Sequence, residues 1–249
     1  MSRKRYPLMG TLSPAGHIGV VRDIFTTICP RYDFLNHLLS FRRDVGWRRA
    51  VTETMHFRRT FRFLDVATGT ADLAIAAARR HPLISVTGID FAAPMLAIGR
   101  RKVRDAGLEE RIRLVEGDAL SLPFPDGSFD VTAIAFGMRN IPDKIRALRE
   151  MTRVTAPGGQ VMILEMTFSP ALFFRPLYGL YLTRVLPRLA RLFERDVATY
   201  YYLGDSIRHF PSPPALRRLM EEAGLRAVSC RGLTFGTAYL HIGRAPGGA

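Results

Sequence analysis

Three acidic residues stand at the ends of short apolar runs: Asp65 in Phe61–Val66, Asp90 in Ile84–Asp90, and Asp118 just beyond Ile112–Glu116. After Asp65 the chain bends through Val66-Ala67-Thr68-Gly69-Thr70-Ala71-Asp72 and enters an apolar helical run at Leu73. Small residues such as Gly69 let a backbone approach a ligand closely, and a helix start offers free N–H groups. Asp90 lies about 20 residues past the Gly69 turn, where a carboxylate can accept both hydroxyls of a ribose. Asp118 can accept from an adenine amino group while Leu120 stacks on the ring. The spacing therefore suits a nucleoside with a cationic or amino-bearing tail. A strand-end aspartate is equally at home as a cap, so Asp90 has a purely structural alternative. The turn lacks the G-x-G-x-x-G fingerprint, since Ala67 and Ala71 occupy positions where glycine would help, and no lysine-bearing loop is present to cradle a triphosphate.

These groups need a scaffold, and the hydrophobic rhythm supplies one. Strands are expected over 61–66, 84–90, 112–116, 129–136 and 160–166, with helices over 73–80, 94–106 and 143–155 between them. Pro94 suits a first helical turn, and Gly107 suits a helix end. The alternation predicts an α/β fold with a doubly wound parallel sheet, in which ligands lie at the carboxyl ends of the strands. Residues 1–60 read as a loose arm (1–16), a helix over 20–31, and an amphipathic run to Arg49 holding the single tryptophan, Trp47; these could form a lid. The rhythm breaks after residue 168. Residues 169–212 mix Phe173, Phe174, Tyr178, Tyr181 and Phe193 with Arg175, Arg184, Arg188, Arg191 and Arg195, and read as a helical insertion. Residues 213–249 return to the core with a helix over 214–223 and strands over 225–230 and 238–244. The cofactor-binding core is thus expected over 61–168.

The 249 residues are 47% hydrophobic, ample for one large domain. Net charge is +14, which favours anionic partners such as nucleic acid, an anionic membrane face or a phosphorylated ligand. Arginine far outnumbers lysine, so base composition explains the charge equally well. The two cysteines, Cys29 and Cys230, show no metal spacing and read as buried thiols of a reducing compartment. No metal cluster is visible. No apolar h-region follows the basic start, and no apolar run reaches the ~20 residues that span a bilayer. The nearest, 163–182, is interrupted by Glu165, Pro170, Arg175 and Pro176. A cytoplasmic location is expected, with peripheral seating on the inner face of the cytoplasmic membrane as an extension of it.

Taken together, Asp65…Gly69-Thr70, Asp90, Gly117-Asp118-Ala119 and Pro157-Gly158-Gly159 resemble a class I S-adenosylmethionine-dependent methyltransferase. The segments Tyr32-Asp33-Phe34-Leu35-Asn36, Phe124–Asp130, Phe136-Gly137-Met138-Arg139-Asn140-Ile141-Pro142-Asp143-Lys144 and Tyr202–Arg208 are similar to the ubiquinone/menaquinone C-methyltransferase family, over nearly the whole chain. The resemblance implies a Rossmann-like seven-stranded sheet. It also implies S-adenosylmethionine as cofactor, with Thr70 at its methionine end, Asp90 on the ribose, and Asp118 and the Ala119 backbone on adenine. Thr68 and Ala71 stand where the family usually has glycine, and Ala135 where it commonly has serine.

The implied reaction is C-methylation of a polyprenylated quinol ring, with demethylmenaquinol first and the 2-methoxy-6-polyprenyl-benzoquinol second. Arg139 would stabilise a developing phenolate, and Asn140 would orient a quinol oxygen. His209, Asp143 and Tyr32 are candidate bases for the ring proton. Each has a structural alternative: a salt bridge for Arg139, a cap for Asn140, packing for His209 beside Phe210-Pro211. A nucleic-acid methyltransferase is disfavoured, because Phe136-Gly137-Met138-Arg139 replaces a D/N-P-P-Y/F motif and neither cysteine lies near the later core strands. A non-catalytic subunit of a quinone-synthesis complex and a methyltransferase acting on another lipid or phenol stay open, as does a homodimer.

Overall fold

The computed structural model describes residues 40–168, 175–185 and 198–247, together with Gly19 and His37. Strands β1 (Arg62–Val66), β2 (Ser85–Asp90), β3 (Ile112–Glu116), β4 (Phe129–Ala135), β5 (Thr155–Met166), β6 (Arg226–Leu233) and β7 (Ala238–Arg244) form one sheet in the order β3-β2-β1-β4-β5-β7-β6. The expected doubly wound sheet is present, with one refinement. β7 runs antiparallel to both β5 and β6. Only Thr234–Gly236 and Thr237 separate β6 from β7, and so short a link permits a hairpin but no crossover.

Alternation along the strands feeds two cores. Phe63, Val131 and Met162 face Ala74, Ala77 and Ala78 of α2 (Asp72–Arg80) and Trp47 and Val51 of α1 (Arg43–Glu53). Leu64, Val66, Ile134 and Ile163 face Leu148 and Met151 of α4 (Lys144–Val154) and Leu216 and Met220 of α7 (Pro213–Glu222). Between α2 and α4 in the chain, α3 (Ala93–Asp105) covers β2 and β3. Of the range expected as a helical insertion, the described residues hold α5 (Arg175–Leu180), which continues as a π-helical turn over Tyr181–Val185, and α6 (Ala198–His209). The expected helix over 20–31 and Arg188, Arg191 and Arg195 lie outside the described residues.

Two boundaries differ from expectation for a local reason. β5 begins at Thr155, ahead of the Pro157-Gly158-Gly159 turn, because Thr155 already pairs with Phe129 and the register shifts before Val131 meets Gln160. Gly159 fits there because a Cβ would stand 2.6 Å from Asp130 O. β6 extends to Leu233, with a register shift between Arg226 and Ser229 where Ala227 has φ 49°. Cys230 is exposed on this edge strand, which corrects the expectation of a buried thiol; Cys29 lies outside the described residues.

The turn after β1 is bent where L-residues pay for it: Ala67 has φ 52° and Ala71 φ 66°. Each costs about 1–2 kcal/mol relative to glycine. Ala71 is the N-cap of α2 and has no side chain to cap with. Asp65 supplies the missing acceptor from the neighbouring strand, since its Oδ2 accepts from Ala74 N at 3.1 Å and from the Thr68 hydroxyl at 2.7 Å. Beneath Ala71 lies Gly99 of α3, whose imagined Cβ would be 3.3 Å from the Ala71 methyl.

Candidate active site

A cavity of about 320 Å³ opens at the carboxyl ends of β1, β2, β3 and β4, within the size range of small-molecule sites. Gly69 lines it and donates its backbone N–H to Asp90 Oδ2 at 2.8 Å. The other oxygen of Asp90 accepts from Ala92 N at 2.9 Å. Burial pushes the Asp90 carboxyl above the ordinary aspartate range, while backbone N–H groups of Ala92, Gly69 and Phe91 pull it back. Asp118 Oδ1 accepts from Leu120 N at 2.8 Å, a side-chain-stabilised turn, and Asp118, Ala119 and Leu120 line the same space. Glu116 adds a third carboxylate to the lining, and Ile89, Phe91, Met95 and Leu120 add apolar walls. Close approach is protected at two points: a Cβ on Gly117 would come within 2.7 Å of Ile89 Cδ1, and one on Gly137 within 2.8 Å of the Ala67 methyl.

Another wall is made by Gly137, Asn140, Ile141 and Pro142, at and beside the 3-10 turn Met138–Asn140. Its geometry is set by a buried ion pair. Glu165, fully buried in β5, accepts from Arg139 Nη1 at 2.6 Å, Arg139 N at 3.1 Å and Met166 N at 3.0 Å. Arg139 Nη1 also donates to Phe136 O at 2.5 Å. Asn140 is thereby held facing the cavity, where its Oδ1 accepts from the Tyr202 hydroxyl of α6 at 3.2 Å. Burial pushes the phenols of Tyr202 and Tyr178 up, and the Arg139 charge acts against that in both. The Tyr181 phenol is pushed up to about 12 by burial.

A second charged network anchors α1 to the turn after β1. Arg48 of α1 donates to Asp44 Oδ2 at 2.5 Å, lies 3.5 Å from Asp72 Oδ2, and stacks over the Phe136 ring at 5.3 Å. Asp72 also pairs with Lys102, which reaches Thr70 Oγ1 at 3.2 Å. Trp47 packs on Phe136 at 5.9 Å and donates its indole N–H to Thr234 Oγ1 at 2.8 Å. Asp65, behind this network, is pushed up to about 7, chiefly by burial.

Of the residues singled out in the sequence, Gly69, Asp90, Asp118, Ala119, Ala135 and Asn140 meet around the cavity. Asp65 and Thr70 are buried just behind the turn. Arg139 faces Glu165. Asp143 does not line the cavity; it is the N-cap of α4 and accepts from Arg146 N at 2.9 Å. His209 is exposed at the end of α6, its Nδ1 3.1 Å from Asp205 Oδ1. Tyr32 lies outside the described residues. Sequence reasoning assigned no role to Phe91, Met95, Glu116 or Glu165. The signal for Glu165 was a lone carboxylate inside an apolar strand, which must be paired. The signal for Phe91 and Met95 was their position just past Asp90, in the loop and first turn of the next helix.

The cavity's chemistry fits S-adenosylmethionine: Asp90 for vicinal hydroxyls, Asp118 and the Ala119 backbone for a purine edge, apolar faces for its plane, and net negative charge for a cation. Structural comparison supports the fold. An S-adenosylmethionine-dependent methyltransferase of Thermotoga maritima superposes with a TM-score of 0.64 at 20% identity, over 90% of this chain and 98% of that one. The cyclase SpnF superposes at 0.69 and 18% identity over 99% and 100%. A shared fold alone thus leaves the reaction open. Sequence comparison is more specific. The demethylmenaquinone methyltransferase of Thermus thermophilus is 48% identical, covering 90% of this chain and 100% of its own length. That of Deinococcus radiodurans is 41% identical over 98% and 99%. The ubiquinone/menaquinone biosynthesis C-methyltransferase of Geobacter sulfurreducens is 42% identical over 90% and 87%. Residues 15–245 match a single family model, and the chain belongs to the ubiE/COQ5 methyltransferase family.

Proposed function

We propose that this protein methylates a ring carbon of a polyprenylated quinol, demethylmenaquinol first, using S-adenosylmethionine bound in the cavity at the strand ends. The observation that carries the reading is the Asp90–Gly69 contact, a carboxylate and a glycine turn joined in the lining of an acidic cavity. Family membership and the names of the relatives support the substrate class. The Geobacter relative's name favours a second reading, in which the benzoquinol precursor of ubiquinone is taken as well.

When bound, the cofactor supplies an electrophilic methyl group. Asp90 would hold its ribose, Asp118 and the Ala119 backbone its base, and Ile89, Phe91 and Met95 would exclude water from the plane of the rings. Asn140 and the Tyr202 hydroxyl would receive a quinol oxygen opposite, so that the turn 138–140 aligns the ring carbon. Arg139 would act on a developing phenolate from behind the turn, weakened because Glu165 offsets its charge. Asp143 and His209 are given no part in proton removal, because the first caps α4 and the second lies at an exposed helix end. Tyr32 is the sequence candidate left for the base. Peripheral seating on an anionic membrane face would bring the protein to a substrate with an isoprenoid tail.

The test is transfer of labelled methyl to a short-tailed demethylmenaquinone in detergent, with and without dithionite. Label in the quinone only under reduction is expected. No label, with cofactor binding intact by calorimetry, would refute the demethylmenaquinol reading and turn the same assay to the benzoquinol precursor.

A further inference from the structure

Among the described residues, seven large apolar side chains are exposed: Phe41, Val45, Phe61, Leu83, Leu180, Val185 and Phe235. Five of them gather at one edge of the molecule. Phe235 sits in the turn before Ala238, which pairs with Met166 at the carboxyl end of β5. The neighbour of Phe235, Thr234, takes the hydrogen bond from Trp47, and Trp47 packs on Phe136 of the cavity wall. Phe41 and Val45 flank the start of α1, six and two residues before Trp47. The Phe41 ring lies 6.2 Å from that of Tyr181, and Leu180 and Val185 bracket Tyr181. The other two, Phe61 and Leu83, precede β1 and β2 at the opposite edge.

The two most exposed of the five are held outward by unusual backbone. Phe41 and Arg42 have φ 52° and 59°, and Thr234 and Phe235 have φ 43° and 55°. Left-handed pairs of non-glycine residues persist only where the surroundings enforce them, and they concentrate at functional positions. Here they leave phenyl rings 72% and 84% exposed. Arg42, Arg43, Arg184 and Arg208 are exposed around the same elements, as is Arg49, which pairs with Glu53, on a chain of net charge +14.

We infer that the rim formed by Phe41, Val45, Leu180, Val185 and Phe235 is a membrane-docking face that seats the cavity mouth on an anionic bilayer. Projecting rings fit the boundary between headgroups and acyl chains, and the arginines around them fit lipid phosphates. A second copy of the chain matches this face less well, because two surfaces of the same sign repel. The inference rests on the quinol reading for its purpose: a substrate with a polyprenyl tail lies in the bilayer, and this face turns the open end of the site toward it.

The test is flotation with vesicles of phosphatidylcholine containing phosphatidylglycerol. The full chain should float, and F41S/F235S should bind about tenfold more weakly or worse. The opposite-edge control F61S/L83S should stay within about twofold of the parent. Both variants should methylate a short-tailed, detergent-dispersed quinol as the parent does, showing that they are folded. Equal flotation of F41S/F235S and the parent would overturn the proposal, as would no flotation of the parent. It would also fall if F41S/F235S altered only the sedimenting mass, which would give the face to a second copy. If the parent floats but fails to methylate the short-tailed quinol, the proposed function fails while the docking face stands.

Discussion

Replacing Glu165 with alanine removes one carboxylate and leaves three donors short of their acceptor: Arg139 Nη1, Arg139 N and Met166 N. Because Glu165 is fully buried and the Arg139 side chain only 7% exposed, water cannot readily replace it. Breaking a buried pair by deleting one partner costs about 3–5 kcal/mol, a large part of the roughly 5–15 kcal/mol that holds a domain folded. With a urea dependence of about 3 kcal/mol per molar, a loss of roughly 4 kcal/mol moves the unfolding midpoint down by about 1.3 M. Glu165→Gln keeps the shape and one acceptor oxygen and should lose less, about 2 kcal/mol. A midpoint shift under about 0.3 M for Glu165→Ala, near 1 kcal/mol, would refute the reasoning. The double variant R139M/E165L carries the argument to function. It should recover to within about 2 kcal/mol of the parent, because a well-packed apolar pair can replace a buried ionic one. Turnover that recovers with it would show that Arg139 only braces the turn holding Asn140; turnover that stays low would show a direct part for the guanidinium.

Asp90→Ala should raise the dissociation constant for S-adenosylmethionine about tenfold or more, near 1.4 kcal/mol, and unchanged calorimetric binding would remove the ribose assignment. Gly137→Ala forces a methyl to within 2.8 Å of the Ala67 Cβ and should cost about 1–3 kcal/mol in urea unfolding while weakening cofactor binding; a neutral result would mean the cavity wall yields. Asp65 and His241 make opposed predictions with pH. The folded pKa of Asp65 is raised from 3.8 to about 7, so the native state holds the extra proton and stability falls as pH rises through that window. Burial lowers His241 to about 4 from 6.5, so the unfolded state holds the extra proton and stability rises with pH between those values. Asp65→Asn should therefore gain on the parent by roughly 2–3 kcal/mol between pH 5 and pH 7, and His241→Leu should shed the acid-side loss. Parallel stability profiles for parent and variants would refute both assignments.

Much of this site is written in strand ends. Asp90, Asp118 and Gly69 were readable because hydrophobic runs mark where strands stop, and parallel topology puts those stops side by side. Boundaries failed where pairing, not hydropathy, sets the end. Thr155 joins β5 because Phe129 is there to pair with it, and no property of Thr-Ala-Pro announces this. The antiparallel β7 follows from a linker length that is visible only once the true end of β6 at Leu233 is known. Arg139 was legible as important and as a salt-bridge candidate, but its partner was not, since Glu165 lies 26 residues away on another element. Cys230 was misread because burial was inferred from residue type; an edge strand exposes residues that a central strand would cover.

The contact between Ala71 and Gly99 constrains the order in which this chain can change. One methyl group fits between the turn and α3, and it now sits on the turn, in a left-handed backbone. Moving it to the helix, as A71G/G99A, would relieve about 1–2 kcal/mol of backbone cost and gain roughly 1 kcal/mol of helix propensity, less whatever Leu114 needs to step aside from 2.9 Å. Neither single step reaches that state cheaply. Alanine at both sites crowds two methyls to 3.3 Å, and glycine at both leaves a methyl-sized void. The two positions are therefore epistatic, and a mutational scan taken one residue at a time would score the better pairing as two unremarkable or harmful changes.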